Sequence, residues 1–177
     1  MKNNNNNNMI IGDKDIFAIE FEIVDSFYQE EILRIFAKTA IWFENKRFGD
    51  FETAELIGVL LAQLLFISKM SISYKVDKQI SRRQLEEIFR NTDCYPEFEI
   101  PYAFPIENFD DYRTAVYMSE SEIVFFIELF RNFSAYAADT RGSHIVEVNK
   151  SYFAEKVKVF ETEVSALQNN LARILRK

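Results

Sequence analysis

One histidine, His144, and one cysteine, Cys94, are all this 177-residue chain offers of the two side chains most used in nucleophilic and metal chemistry. A lone cysteine excludes an intrachain disulfide framework and a cysteine-based metal cluster. Cys94 has no basic neighbour in sequence to lower its thiol pKa, so it reads as a buried or incidental residue rather than a nucleophile. Ser143 precedes His144, but a triad is a convergence in space, and adjacency does not make one. A zinc site would have to draw its remaining ligands from carboxylates, and no local spacing suggests one. The four glycines, Gly12, Gly49, Gly58 and Gly142, are scattered, which excludes a glycine-rich phosphate loop. No cofactor or metal is expected.

Long apolar runs are also missing. The longest, Ile57 to Ile67, contains Gln63 and is too short to span a bilayer. Met1-Lys2 followed by Asn3 to Asn8 has no apolar h-region, so no signal peptide is expected. This Asn-rich leader, 1–8, is expected to be disordered and to precede a single domain over 9–177. Cations are the scarcer charge, 21 against 28 carboxylates, and the net charge of −7 argues against non-specific binding to nucleic acid or membranes. The expected setting is the cytoplasm. What the chain has in quantity is apolar bulk: 48% hydrophobic residues and 18 Phe, enough for a packed core.

The pattern predicts an α+β fold with a mainly antiparallel sheet of about 5–7 strands. In residues 16–24, Phe17, Ile19, Phe21 and Ile23 share one face and Glu20 and Glu22 the other, the alternation of a half-buried strand. Leu33, Ile35, Ala37, Thr39, Ile41 and Phe43 continue the theme. They lead into a hairpin with Asn45-Lys46 as its turn, in which Glu44 faces Arg47, Phe43 faces Phe48, and Trp42 covers Gly49. Asp50 or Thr53 is expected to cap a helix that is apolar nearly all round, and hence largely buried. Ser81-Arg-Arg-Gln84 is a capping box opening a short helix through Leu85, Ile88 and Phe89. The three prolines all fall between Pro96 and Pro105, in an irregular or edge segment. Tyr112 to Met118 reads as a strand. Residues 122–130 read either as its return, with Arg113 facing Glu128 and Val116 facing Phe125, or as a helix opened by the Ser119 and Glu122 capping box. His144 to Val148 reads as a further strand. From Ser151, Phe153, Val157, Phe160, Val164, Leu167, Leu171 and Ile174 form one helical stripe, which either docks on the sheet or pairs with a second copy.

Carboxylates are the only abundant catalytic type. Asp110 and Asp111 are adjacent, but neighbours on a strand point to opposite faces, and Asp13 and Asp15 are explained equally well by strand entry. A carboxylate-dependent hydrolase is the alternative these residues leave open. Charge distribution says more. Between Asp93 and Glu122, eight carboxylates, among them Glu97, Glu99, Glu107, Asp110 and Asp111, stand against Arg113 alone. The same window holds Tyr95, Phe98, Tyr102, Phe104, Phe109 and Tyr112. Acidic groups steer a basic partner and aromatics anchor it, while the plain alternative is a solvated loop with its aromatics turned inward. Glu97, Glu99, Glu107, Asp110 and Asp111 are the candidate partner-binding residues.

Met9-Ile-Ile-Gly-Asp13 with Phe17-Ala-Ile19, the Trp42 hairpin ending in Gly49-Asp50, Phe109-Asp-Asp-Tyr112, and Val146-Glu-Val148 with Phe153 leading a helix occur in that order. Together they resemble the immunity protein 42 family of bacterial polymorphic toxin systems. Asp111 stands in place of that family's glycine and Tyr112 in place of its tryptophan. The resemblance spans most of Met9 to Leu167. It implies a small α+β protein that binds and neutralises a cognate toxin domain by stoichiometric contact and catalyses nothing, and it supplies no binding residues. The acid excess adds the expectation of a basic toxin such as a nuclease. The protein itself is expected to be a monomer or weak homodimer, and an interaction module dimerising through the C-terminal helix is the second reading.

Overall fold

The computed structural model describes residues 8–70, 82–91, 103–104, 109–118, 121–129 and 140–175. Among them a first sheet is built from β1 (Met9–Asp13), β2 (Phe17–Gln29), β3 (Ile32–Phe43) and β4 (Lys46–Phe48), antiparallel and in chain order. β5 (Ala54–Leu56) pairs with β3 beside β4. The alternation read in the sequence sets its inner face: Phe17, Ile19, Phe21, Ile35, Ala37, Ile41 and Phe43 are buried. The outer face carries Glu20, which is also buried rather than solvated. After Ile23, which pairs with Ala37, the register slips so that Asp25 faces Phe36, and Val24 is left as a bulge. One inserted residue exchanges the two faces of everything beyond it.

The hairpin differs from the predicted register. Phe43 faces Lys46, Trp42 faces Arg47 and Ile41 faces Phe48, so the turn is Glu44-Asn45. Both turn residues have positive φ, 49° and 60°. That pair of left-handed conformations makes the tight turn matching strand twist, and asparagine is among the residues that adopt it most readily. Asn45 is fixed further by its backbone N–H donating to the Lys14 carbonyl (2.8 Å) and its side chain to Asp15. A slip of two residues leaves every side chain on its face. Phe43 and Phe48 still meet diagonally, with ring centroids 6.0 Å apart. Arg47 turns to Glu20 (3.8 Å), whose other oxygen contacts Asn8, and the Trp42 indole N–H donates to Glu20 at 2.7 Å. Lys14 lies over the Trp42 ring, 3.7 Å from its centroid.

Asp50 caps a turn, not a helix. It accepts from the Glu52 backbone N–H (2.9 Å) and the Thr53 hydroxyl (2.6 Å), and the chain enters β5. Helix α1 (Ile57–Lys69) starts behind Leu56 with no side-chain cap, and Lys69 sits in its last turn. Only one of its faces is buried, through Ile57, Leu60, Leu64 and Ile67, while Val59 and Phe66 remain exposed. The expectation of near-complete burial fails: among the described residues, α1 packs through that side against β3, β5 and the C-terminal helix.

Sheet B, formed by β6 (Tyr112–Met118), β7 (Glu122–Leu129) and β8 (Ser143–Asn149), has the predicted register, with Arg113 across from Glu128 and Val116 across from Phe125. Residues 122–129 are strand; the helical alternative does not occur there. Helix α2 (Arg82–Arg90) covers one face of this sheet, where Phe89 stacks on Phe126 (4.9 Å) among Ala115, Tyr117, Val124 and Ile145. The other face joins the main core, in which Phe125 meets Phe43 (4.9 Å), Phe153 (5.7 Å) and Phe104 (5.8 Å). Phe153 begins the buried stripe of α3 (Lys150–Leu175), continued by Val157, Phe160 and Val164. Leu167 and Leu171 pack against the same core. The C-terminal stripe therefore docks as far as Leu171, while its last member, Ile174, is 66% exposed. The leader at residues 1–7, Ser81 of the capping box, Cys94 and all three prolines lie outside the described residues.

Candidate partner-binding surface

Of the five candidate carboxylates, Glu97, Glu99 and Glu107 lie outside the described residues. Asp110 and Asp111 are described, and they occupy the turn that leads into the strand beginning at Tyr112. Asp110 is exposed and Asp111 half-buried as the chain enters β6. The turn is pinned from below by Phe109, buried against Phe104 (4.8 Å) and Tyr112 (5.9 Å). The Tyr112 ring stands edge-on to Phe48 at 6.2 Å, and its hydroxyl leans on the Thr140 side chain and the Gly49 backbone. Burial raises the Tyr112 pKa; Asp111 and Asp50 add to the effect, while Thr140 and Gly49 oppose it. The acidic turn thus sits beside the end of the hairpin, so Asp111 and Asp50 act on one phenol although sixty residues separate them (a count of about 60). No local pattern reveals that meeting; it depends on how the two sheets pack.

The described aromatics of the acidic window point inward. Phe104, Phe109 and Tyr112 are all buried, so they hold the turn in place and are not presented to a partner. Tyr95, Phe98 and Tyr102 lie outside the described residues.

Ser143 and His144 are separated by the strand they share. The Ser143 hydroxyl donates to Glu128 (2.6 Å) and accepts from Arg90 on the α2 side. The His144 ring lies on the opposite side, edge-on to Phe48 (5.3 Å), with Nε2 3.2 Å from the Arg141 carbonyl. Burial lowers the His144 pKa and Lys46 lowers it further, against the backbone carbonyls of Arg141 and Thr140 and the charge of Glu44. Because the folded state resists protonation, the unfolded chain takes up a proton first as pH falls. Stability is therefore unaffected by this group above the ordinary histidine range and declines as pH drops through it, levelling off below the folded pKa. The expected result is that the melting temperatures of His144→Gln and the wild type diverge between pH 8 and pH 5, the wild type losing more. Parallel curves would show that folding does not perturb this histidine.

Among the described residues, no three His, Cys, Asp or Glu side chains gather closely enough to hold a metal ion, and no helix is long and apolar enough to cross a membrane. Residues 9–168 match the family of immunity protein 42. The chain belongs to that family. It is an immunity protein of a toxin–immunity system. No curated protein and no solved structure matches it.

The four sequence landmarks of this immunity protein are largely parts of its frame. Gly12 in β1 has φ +110°, and the hairpin lays Phe48 against both Tyr112 and His144. Phe153 joins Phe17 (4.7 Å) to Phe125 (5.7 Å). Only Asp110 of the third landmark is exposed, with Asp111 half-buried. The residues that carry the family likeness are therefore mostly scaffold residues.

Proposed function

We propose that this immunity protein neutralises a cognate toxin domain by binding it stoichiometrically and covering its active surface, without catalysing a reaction itself. The observation that carries the reading is the family membership across residues 9–168. The net charge of −7 favours a basic toxin such as a nuclease, met in the cytoplasm of the producing cell. The proposed unit is one domain over 9–177, supported by a core that draws on residues from Ile11 to Val164, and it works as a monomer or weak homodimer, most of the α3 stripe being docked on that core.

Co-expression with the toxin domain encoded in the neighbouring reading frame tests this directly. Survival of the cells and a one-to-one complex on purification are expected; continued killing with no complex would sink the proposal. The acidic set Glu97, Glu99, Glu107, Asp110 and Asp111 is proposed to steer and contact the toxin. Reversing all five to lysine is expected to slow association about tenfold or more at low salt, and to flatten its salt dependence. Stopped-flow mixing across a salt series measures both. An unchanged association rate would place the acidic set outside the contact.

A further inference from the structure

β1 reaches only Phe21 on β2, and β5 reaches only Phe36 on β3. Beyond them, residues 25–29 pair with 32–36 as a two-stranded arm that no other described strand flanks past Phe36. Its underside belongs to the core through Ile35 and Leu33. Its outer side holds Phe27 stacked on Phe36, with centroids 5.7 Å apart and rings 17° from parallel. Phe27 is 43% exposed, Ile32 on the same face 54%, and Val24 at the bulge 52%.

The bulge is the cause. Without the extra residue at Val24, Phe27 would keep the phase of Phe17, Ile19 and Phe21 and turn into the core; with it, Phe27 turns out beside Phe36. A stacked, half-wet aromatic pair with two exposed aliphatics costs solvation unless something covers it, and rigid aromatics are the side chains that most often anchor protein contacts. Carboxylates ring the patch. Glu22 and Asp25 lie along β2, and Glu30 and Glu31 form the arm's turn with φ of 49° and 64°. Against them stand Arg34, across from Phe27, and Lys38, drawn towards Glu52 at 3.7 Å.

We infer that the outer face of this arm, where Phe27 stacks on Phe36 beside Ile32 and Val24 within the ring of Glu22, Asp25, Glu30 and Glu31, grips the toxin through a basic segment carrying an apolar side chain. This rests on the proposed function and deepens it by assigning the anchor. Electrostatic steering governs how fast partners meet, whereas buried apolar anchors govern how long they stay. The acidic turn at Asp110 lies beside the opposite end of β3, a strand of 12 residues or about 40 Å. The two surfaces can therefore be altered separately.

The experiment uses the full chain and the same neighbouring-frame toxin domain, with dissociation followed after capture of the preformed complex. Phe27→Glu and Ile32→Glu are each expected to speed dissociation about 30-fold or more while far-ultraviolet circular dichroism and melting stay near wild type. Phe27→Leu is expected to stay within a few-fold of wild type. Wild-type dissociation rates in both folded glutamate variants would overturn the inference and leave the proposed function standing. Failure of the wild type to form any complex would overturn both. Light scattering of the isolated protein closes the other route. A dimer that Phe27→Glu converts to a monomer would make a second copy the occupant and overturn the inference; a monomer in both cases supports it.

Discussion

Replacing Phe125 with alanine is expected to remove about 3–5 kcal/mol of stability, enough to bring a domain of ordinary stability close to unfolding. Phe125 has no exposed surface and is in ring contact with Phe43 of β3, Phe104 and Phe153 of α3. These neighbours belong to the first sheet, the segment ahead of β6 and the longest helix, so a cavity opened there is walled by elements that cannot all move inward together. Phe126 provides the control: it is the same residue type, equally buried, and one position along β7. It faces the smaller cluster under α2, a single short helix of nine residues that is able to settle onto the vacancy. Phe126→Ala is expected to cost less, because the penalty grows with the cavity that remains after relaxation. Urea unfolding gives both numbers from the shift in midpoint at constant slope. Equal losses would show that the two clusters are one in energetic terms.

Gly12 is the second position where a small change should act strongly. A β-carbon placed there would lie 2.3 Å from the Phe17 carbonyl oxygen and 3.1 Å from the Ala18 α-carbon, at a φ of +110° that L side chains rarely adopt. Backbone atoms cannot swing aside as a flexible side chain can. Nor is the strand end free to shift, since the Asp13 N–H donates to the Tyr152 hydroxyl of α3 (2.9 Å), which itself lies 3.5 Å from the Phe17 carbonyl. Gly12→Ala is expected to cost about 2–4 kcal/mol. Gly58 makes the opposite case: an exposed α1 residue with nothing within 4 Å of an added β-carbon. Gly58→Ala is expected to stabilise by about 0.5–1 kcal/mol through helix propensity. Calorimetry should move the two melting temperatures in opposite directions; a tolerated Gly12→Ala would mean that the β1–β2 turn is far more plastic than its geometry implies.

The register of sheet B was legible from its cross-strand pairs, Arg113 with Glu128 and Val116 with Phe125, although periodicity left residues 122–130 open between strand and helix because β7 is apolar on both faces. The C-terminal stripe was legible as a helix, while its docking depended on the packing of the sheets. The Trp42 hairpin was legible as a hairpin but not in its register, because two registers two residues apart place the same faces inward and only turn conformation separates them. Glu20 gave no hint that it would be buried, since its partners Trp42, Arg47 and Asn8 arrive from three separate places in the chain. The arm was hidden by a single residue: alternation read as far as Val24 is correct, and the bulge there reverses its meaning for Phe27. Of the acidic set, Asp110 and Asp111 lie in the turn ahead of the strand read from Tyr112, and the packing of Phe109 that holds this turn has no local sequence signal.

The joining of Phe17 to Phe153 also sets an order of events during folding. Tyr152 and Phe17 touch across 135 residues of chain, and the inner face of β2 remains without its cover until α3 has been made and has returned. The β1–β4 meander can assemble from neighbours in sequence, but its Phe-lined face then waits in water. Contacts this distant slow folding and prolong the stage at which a chain sticks to others. For the proposed role the consequence is one of timing: a chain that is to meet a toxin domain has first to close a core whose two sides lie 135 residues apart.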